Sequence, residues 1–243
     1  MSRLHRDAMK QLTNDIVSGR LAPGDMLQRE VDLADEMGIS RGVARETIRA
    51  LEERGLVSVR HGRGATVRSS AHWNIFDPDV LVAVLATSGG QRTLTDYLDC
   101  RRILEVAAAG LAAERATSAQ VAVIDAAFHG MEEAAGLPAS DATERRFHEA
   151  DLGFHQAVMA ATGNQALGVL TERIHSALLI ARYPLARPDY RQTRGLPEHR
   201  RILDAIAARD PVAARAAMSA HLDTVASYLS EATRAAAVDA AVI

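Results

Sequence analysis

Cysteine, lysine and tryptophan occur once each in this 243-residue chain, as Cys100, Lys10 and Trp73. A lone cysteine excludes an internal disulfide and suits a reducing compartment. Long apolar runs are also missing. The longest, Val80 to Ala86, is far short of the roughly 20 residues a membrane helix needs. Residues 1–20 alternate charged and apolar side chains and contain no secretory h-region. The expectation is a cytoplasmic protein without a membrane anchor. Nor is there an excess of one charge: the net is −3 at pH 7.

The distribution of that charge is more informative than its sum. Residues 1–70 hold twelve basic and ten acidic residues, a net of +2, which leaves −5 for the remainder. Within 38–68, seven arginines face three glutamates. Leu4, Ala8, Leu12 and Ile16 recur at helical spacing until Gly19, and Pro23-Gly24-Asp25 then makes a turn. Val31, Leu33, Ala34 and Met37 predict a short second helix closed by Gly38. Ser40 is an N-cap for a third helix that stops at Gly55. Two β-type runs, Leu56–Arg60 and Ala65–Arg68, flank a Gly-bounded hairpin tip. This sequence of elements makes 1–70 a winged helix-turn-helix, with 71–77 as a linker in which Trp73 and Phe76 dock.

From residue 78 onward the pattern is helical throughout. Asp77-Pro78 and Asp210-Pro211 place an N-cap before a proline suited to the first helical turn. Asp141 with Glu144 has capping-box spacing, and Ser118 and Asn164 are further cap candidates. Helices are predicted near 78–87, 94–115, 118–135, 141–161, 164–182, 191–208 and 211–236. The fold class is mainly α, with 78–243 forming an antiparallel helical bundle.

Function enters through side chains on the third helix. Arg41, Arg45 and Arg49 recur every fourth residue, an advance of about 400° that keeps them on one drifting stripe. Val43, Thr47, Ile48 and Leu51 face away from it. Arginine suits bidentate guanine contacts and phosphate clamping alike. A solvated face paired with Glu46, Glu52 and Glu53 is the competing explanation, and the tight turn before the helix and the basic hairpin after it favour DNA. Residues 12–68 resemble the GntR family of winged helix-turn-helix regulators. The resemblance rests on Ile16-x-x-Gly19, Pro23-Gly24-Asp25, Gly38-Ile39-Ser40-Arg41, Arg45-Glu46, Arg49 and His61-Gly62. It implies operator contacts by Arg41, Arg45, Arg49, His61 and Gly62, and a homodimer reading two half-sites. One departure stands out. The family's arginine before the second helix is Val31 here, with Arg29 two residues earlier as a substitute phosphate contact.

The bundle carries polar residues where apolar ones are expected. Phe147, Asp151, Phe154 and Val158 share a stripe, with His155 one turn beyond Asp151. His199 sits among Ile202, Leu203 and Ile206, and His221 between Met218 and Val225. A buried carboxylate is costly unless paired or metal-bound. Asp and His at i, i+4 with one His from each of two other helices form a reasonable cage for a divalent transition ion. From the residues alone, hydrogen-bonded core histidines explain the pattern too.

Residues 78–230 resemble the FadR-type ligand-binding domain, the FCD subgroup of the same family. The motifs are Arg101-x-x-Leu104-Glu105, Ala112-Ala113-Glu114-Arg115-Ala116, Asp151-x-x-Phe154-His155, Gly163-Asn164, Glu198-His199 and His221-Leu222. The resemblance implies a metal held by Asp151, His155, His199 and His221, with zinc the leading ion and nickel or manganese the others. His148 stands near the same face, as an outer partner or an alternative ligand. An octahedral ion leaves two positions for a carboxylate effector. Arg101 is the candidate contact to that effector, against a salt bridge to Glu105, and His175 is a further possible wall residue. Residues 72–81 resemble repressors of sugar-acid catabolism, which favours an aldonate-like hydroxy acid. The reading is thus a repressor, not an enzyme. A metal-dependent hydrolase is the main rival, and an architectural DNA-binding protein the second.

Overall fold

The computed structural model describes residues 3–60, 64–180 and 194–241, apart from the side chains of 180 and 228–241. The chain forms two compact units, Met1–Thr95 and Asp96–Ile243.

In the first unit, α1 (Arg3–Val17), α2 (Glu30–Met37) and α3 (Arg41–Glu53) precede the strands β1 (Val57–Arg60) and β2 (Gly64–Val67). The strands pair antiparallel, with Val57 opposite Val67 and Arg60 opposite Gly64. Ser40 caps α3 by accepting a hydrogen bond from the Val43 amide at 3.2 Å. Gly38 ends α2 in the left-handed region, φ 62°, which glycine enters without a Cβ penalty. The resulting tight turn aims α3 away from α2.

The core packs Met9, Leu12 and Ile16 of α1 against Leu33, Ile48, Leu51, Leu56 and Val67. Leu4, expected in that stripe, is 53% exposed; Ala8 and Met9 are buried in the helix's first turns. The next helix, α4 (Pro78–Leu85), also belongs to this core, because Val80 and Val84 are buried in it. The division between units therefore falls after Thr95, later than the boundary at 77/78 expected from the sequence.

The segment between wing and α4 is fastened by polar contacts. Trp73 packs on the core and its Nε1–H donates to the Arg68 carbonyl at 3.1 Å. Phe76, expected to dock with it, remains 39% exposed. Arg54 donates from Nε to Asp77 at 3.1 Å and from its terminal nitrogen to Asp79 at 3.2 Å. Asp77 in turn caps α4. Gly55 (φ 73°) lies so close to the His72 carbonyl that a Cβ there would clash with it.

The second unit comprises α5 (Gly90–Arg115, from residue 96 onward), α6 (Ser118–Ala135), α7 (Asp141–Ala161), α8 (Gln165–Ile180), α9 (Leu196–Ala207) and α10 (Pro211–Ala241). Its core joins Ala109, Ala112 and Ala113 of α5 to Ile124, Phe128, Phe147, Phe154, Val158, Ile202, Ile206 and Met218. The alanines of α5 leave room for close helix approach. Two caps differ from the sequence expectation by one residue. Thr117, not Ser118, caps α6, in a reciprocal box with Gln120. Ser140, not Asp141, caps α7. Asn164 and Asp210 cap as expected.

Candidate metal centre and DNA-reading surface

Helical spacing brings the first two candidate ligands together. Asp151 and His155, four residues apart on α7, share its inward face. Single residues from α9 and α10, His199 and His221, meet them there. Exposure is 8% for Asp151, 1% for His155 and His199, and 2% for His221. His199 Nε2 lies 3.1 Å from Asp151 Oδ1 and 3.4 Å from His155 Nε2. His155 Nε2 is 4.0 Å from the same carboxylate oxygen. The three imidazoles present nitrogens within 4.8 Å of one another.

Each ring is oriented by an acceptor at its other nitrogen. His155 Nδ1 stands 2.7 Å from Glu105 Oε2. His199 Nδ1 is 2.7 Å from the Gly195 carbonyl oxygen, and His221 Nδ1 is 3.1 Å from Glu198 Oε2. Thr224 steadies Glu198 through a hydroxyl donated at 2.9 Å. These contacts place an acceptor oxygen beside each Nδ1, while Nε2 of His155 and of His199 face each other and Asp151. Among the described residues, Nε2 of His221 is buried without a hydrogen-bond partner. Three imidazoles converging beside a carboxylate, with the buried Nε2 of His221 among the unpartnered nitrogens, have the donor chemistry of a divalent transition-ion site.

Protonation states agree with that chemistry. Burial pushes the Asp151 carboxyl up, but the His199 hydrogen bond and the His155 charge outweigh it and hold it well below the usual carboxylate range. Burial lowers His155, and it lowers His221 strongly with help from the neighbouring His199 and His155. A carboxylate that stays ionised is the form that binds metal.

Beside this cluster is a small cavity of about 20 Å³, near the room one water occupies. Its wall includes Arg101, His148, Asp151, His155 and His175, closed on the apolar side by leucines such as Leu178. His148 is thus a wall residue of the cavity. Arg101 is buried, donating from Nε to Glu105 at 2.6 Å and lying 2.9 Å from His155 Nε2 through a terminal nitrogen. The salt bridge to Glu105 exists, and the same guanidinium borders the cavity. His175, given no rank by the sequence, is buried and reaches Glu105 at 2.7 Å.

On the first unit, Arg41, Arg45 and Arg49 are exposed along α3, while Thr47, Ile48 and Leu51 are buried behind them. Arg45 pairs with Glu30 at 3.0 Å and Arg49 with Glu53 at 3.4 Å, both in solvent. Exposed pairs of this kind contribute about 0–1 kcal/mol and yield readily to a phosphate or a base edge. Arg29 is exposed beside Asp32 at 3.8 Å, and Val31 is exposed at the start of α2. His61 and Gly62 at the wing tip lie outside the described residues.

Comparison with known proteins agrees with both halves. The model for bacterial regulatory proteins of the gntR family matches residues 4–67, and the FCD domain model matches 96–224. The galactonate operon transcriptional repressor of Escherichia coli K12 is 33% identical over 209 residues, covering 85% of this chain and 88% of its own length. LutR, an HTH-type transcriptional regulator of Bacillus subtilis 168, is 32% identical over 228 residues, covering 88% and 96%. The solved structure of Lar, which controls expression of the Listeria monocytogenes agr system, aligns with a TM-score of 0.59 at 19% identity. It covers 93% of this chain and 95% of its own, and bears on the fold alone. No helix among the described residues is long and apolar enough to cross a membrane. The hydrolase alternative finds no support among these regulators. The chain belongs to the GntR family of bacterial transcription regulators, in the group that carries an FCD domain, and it is not an enzyme.

Proposed function

We propose that this regulator is a cytoplasmic homodimeric repressor whose hold on operator DNA is controlled by a small organic acid bound beside a divalent ion. Zinc is the leading ion, with nickel and manganese as the others, and Asp151, His155, His199 and His221 hold it. The observation that carries the reading is the convergence of one carboxylate and three imidazoles next to an arginine-walled cavity. An ion there supplies a positive centre for a carboxylate, and Arg101 supplies a charge-assisted second contact once the cavity, with room for about one water, widens to admit the acid. A sugar acid is the effector class, supported by the relative that represses a galactonate operon and by residues 72–81.

A ligand that binds only the folded state raises its apparent stability, by about 2.7 kcal/mol at one hundred times its Kd. Zinc-loaded protein is therefore expected to melt at higher temperature with galactonate or a related aldonate than without. Absence of a shift with any sugar acid, alongside a shift with another class of organic acid, reassigns the effector. Absence of a shift with every acid tried rejects the reading.

Operator reading is assigned to Arg41, Arg45 and Arg49 on α3 and to His61 and Gly62 at the wing. Arg29 supplies the phosphate interaction that the apolar Val31 cannot make. Arg45→Ala is expected to cost about 1–3 kcal/mol of specific affinity if the side chain reads a base edge. A phosphate-only role would instead weaken binding evenly across sequences and reduce the salt slope by about one unit. Binding titrations on operator and scrambled DNA at several salt concentrations separate the two roles.

A further inference from the structure

Glu105 is the most deeply buried carboxylate near the centre, and none of the four ligand positions accounts for it. Its side chain is wholly excluded from solvent. One oxygen lies 2.7 Å from His155 Nδ1. The other accepts from Arg101 Nε at 2.6 Å and lies 2.7 Å from His175 Nε2. Three helices supply these partners: α5 gives Arg101 and Glu105, α7 gives His155, and α8 gives His175.

A carboxylate this deeply buried is costly unless it is paired. A carboxylate acceptor behind Nδ1 of His155 orients that ring and raises the basicity of the nitrogen turned inward. The same carboxylate holds the guanidinium of Arg101 against the cavity.

We propose that Glu105 is the positioning residue of this site: one buried carboxylate sets the donor nitrogen of His155 and holds Arg101 and His175 at the cavity wall. This rests on the metal reading above and adds to it. Glu105 touches no effector and coordinates nothing; it acts through His155 on the ion and through Arg101 on the acid. At Nδ1, His221 has its own carboxylate, Glu198, and His199 a backbone carbonyl. Among the described residues, Glu105 is the carboxylate that joins an imidazole of the cage to the cavity arginine.

The test is a double-mutant cycle on metal affinity in the full chain, with Zn²⁺ measured by competition against a chromophoric chelator. Glu105→Gln keeps the shape and removes the charge, and Glu105→Asp keeps the charge and withdraws it by one methylene. Each is expected to lose about 10- to 100-fold in affinity, the usual cost of an outer partner of a metal ligand. In a His155→Ala background, Glu105→Gln is expected to cost less than twofold further, because its route to the ion is already gone. The visible spectrum of the Co²⁺ form is expected to change in Glu105→Gln, which a loss of general stability alone would not cause. Operator binding by the chelator-treated variants checks that they are folded. Unchanged Zn²⁺ affinity in both variants overturns the inference, as does an equal loss with and without His155. A parent protein that binds no Zn²⁺ removes the metal reading itself, a separate outcome.

Discussion

Replacing His199 by alanine is expected to abolish stoichiometric metal binding and to erase the difference in melting between metal-loaded and chelator-treated protein. The parent, purified without chelator, is expected to carry close to one divalent ion per chain. His199 is central to the cluster, with its Nε2 3.1 Å from Asp151 and 3.4 Å from the inward nitrogen of His155. Metal at one thousand times its Kd stabilises the folded state by about 4.1 kcal/mol. In a domain of 150–250 residues each kcal/mol moves Tm by about 2–4 °C, so chelation of the parent lowers Tm by roughly 8–16 °C. The His199→Ala and His221→Ala variants are expected to melt alike with and without chelator. Their metal-free forms differ from the parent's by the absence of a buried ring, so the informative quantity is the metal-dependent shift within each variant. Elemental analysis showing no ion in the parent, together with an unmoved Tm on chelation, would make these histidines ordinary core residues.

How legible this centre is from sequence depends on the kind of contact. Asp151 and His155 stand out because helical periodicity places both within an apolar stripe, where neither residue is at home. His199 and His221 stand out in the same way, one helix at a time. Periodicity gives a face, however, and says nothing of which faces meet. Glu105 and Arg101, four residues apart on α5, have the spacing of any exposed helical ion pair. Only the approach of α7 and α8 turns that pair into a buried junction with His155 and His175.

The same distinction explains the boundary. The apolar run at Val80–Leu85 announces a buried helix, but Val80 and Val84 pack on the core of the first unit rather than in the bundle. Capping errors are of a smaller kind. Thr117-Ser118 and Ser140-Asp141 each put two cap-competent residues side by side, and the extended backbone of Thr117 and Ser140 makes the choice. Leu4 follows the helical spacing and is exposed nonetheless, because the stripe shifts to Met9 where α1 meets the core. In the helix-turn-helix such ambiguity is slight: Gly38 and Ser40 fix the turn, and the apolar face of α3 then puts the three arginines on the solvent side.

Effector binding is expected to change operator affinity by roughly 5- to 150-fold, and downward for a repressor, since coupling between sites typically amounts to about 1–3 kcal/mol. Covalent continuity supports such coupling. Arg54 at the end of α3 fastens Asp77 and Asp79 at the head of α4, and residues 86–89 then lead into α5, which carries Arg101 and Glu105. A ligand shifts an equilibrium only through its differential affinity for two states, so tight binding alone produces no regulation. Reciprocity makes the claim measurable from either end: operator DNA must change effector affinity by the same factor. Calorimetric titration of zinc-loaded protein with the effector, in the presence and absence of operator, is expected to give two affinities differing by that factor. Arg101→Ala is expected to weaken the effector in both titrations while the metal stays bound, and Asp151→Ala to weaken metal and effector together. Equal affinities with and without operator would show that the cavity is not linked to DNA binding. Undiminished binding in both variants would place the acid elsewhere in the protein. An Arg54→Ala variant that retains effector affinity and abolishes the difference between the two titrations would assign the coupling to the Arg54–Asp77 clasp.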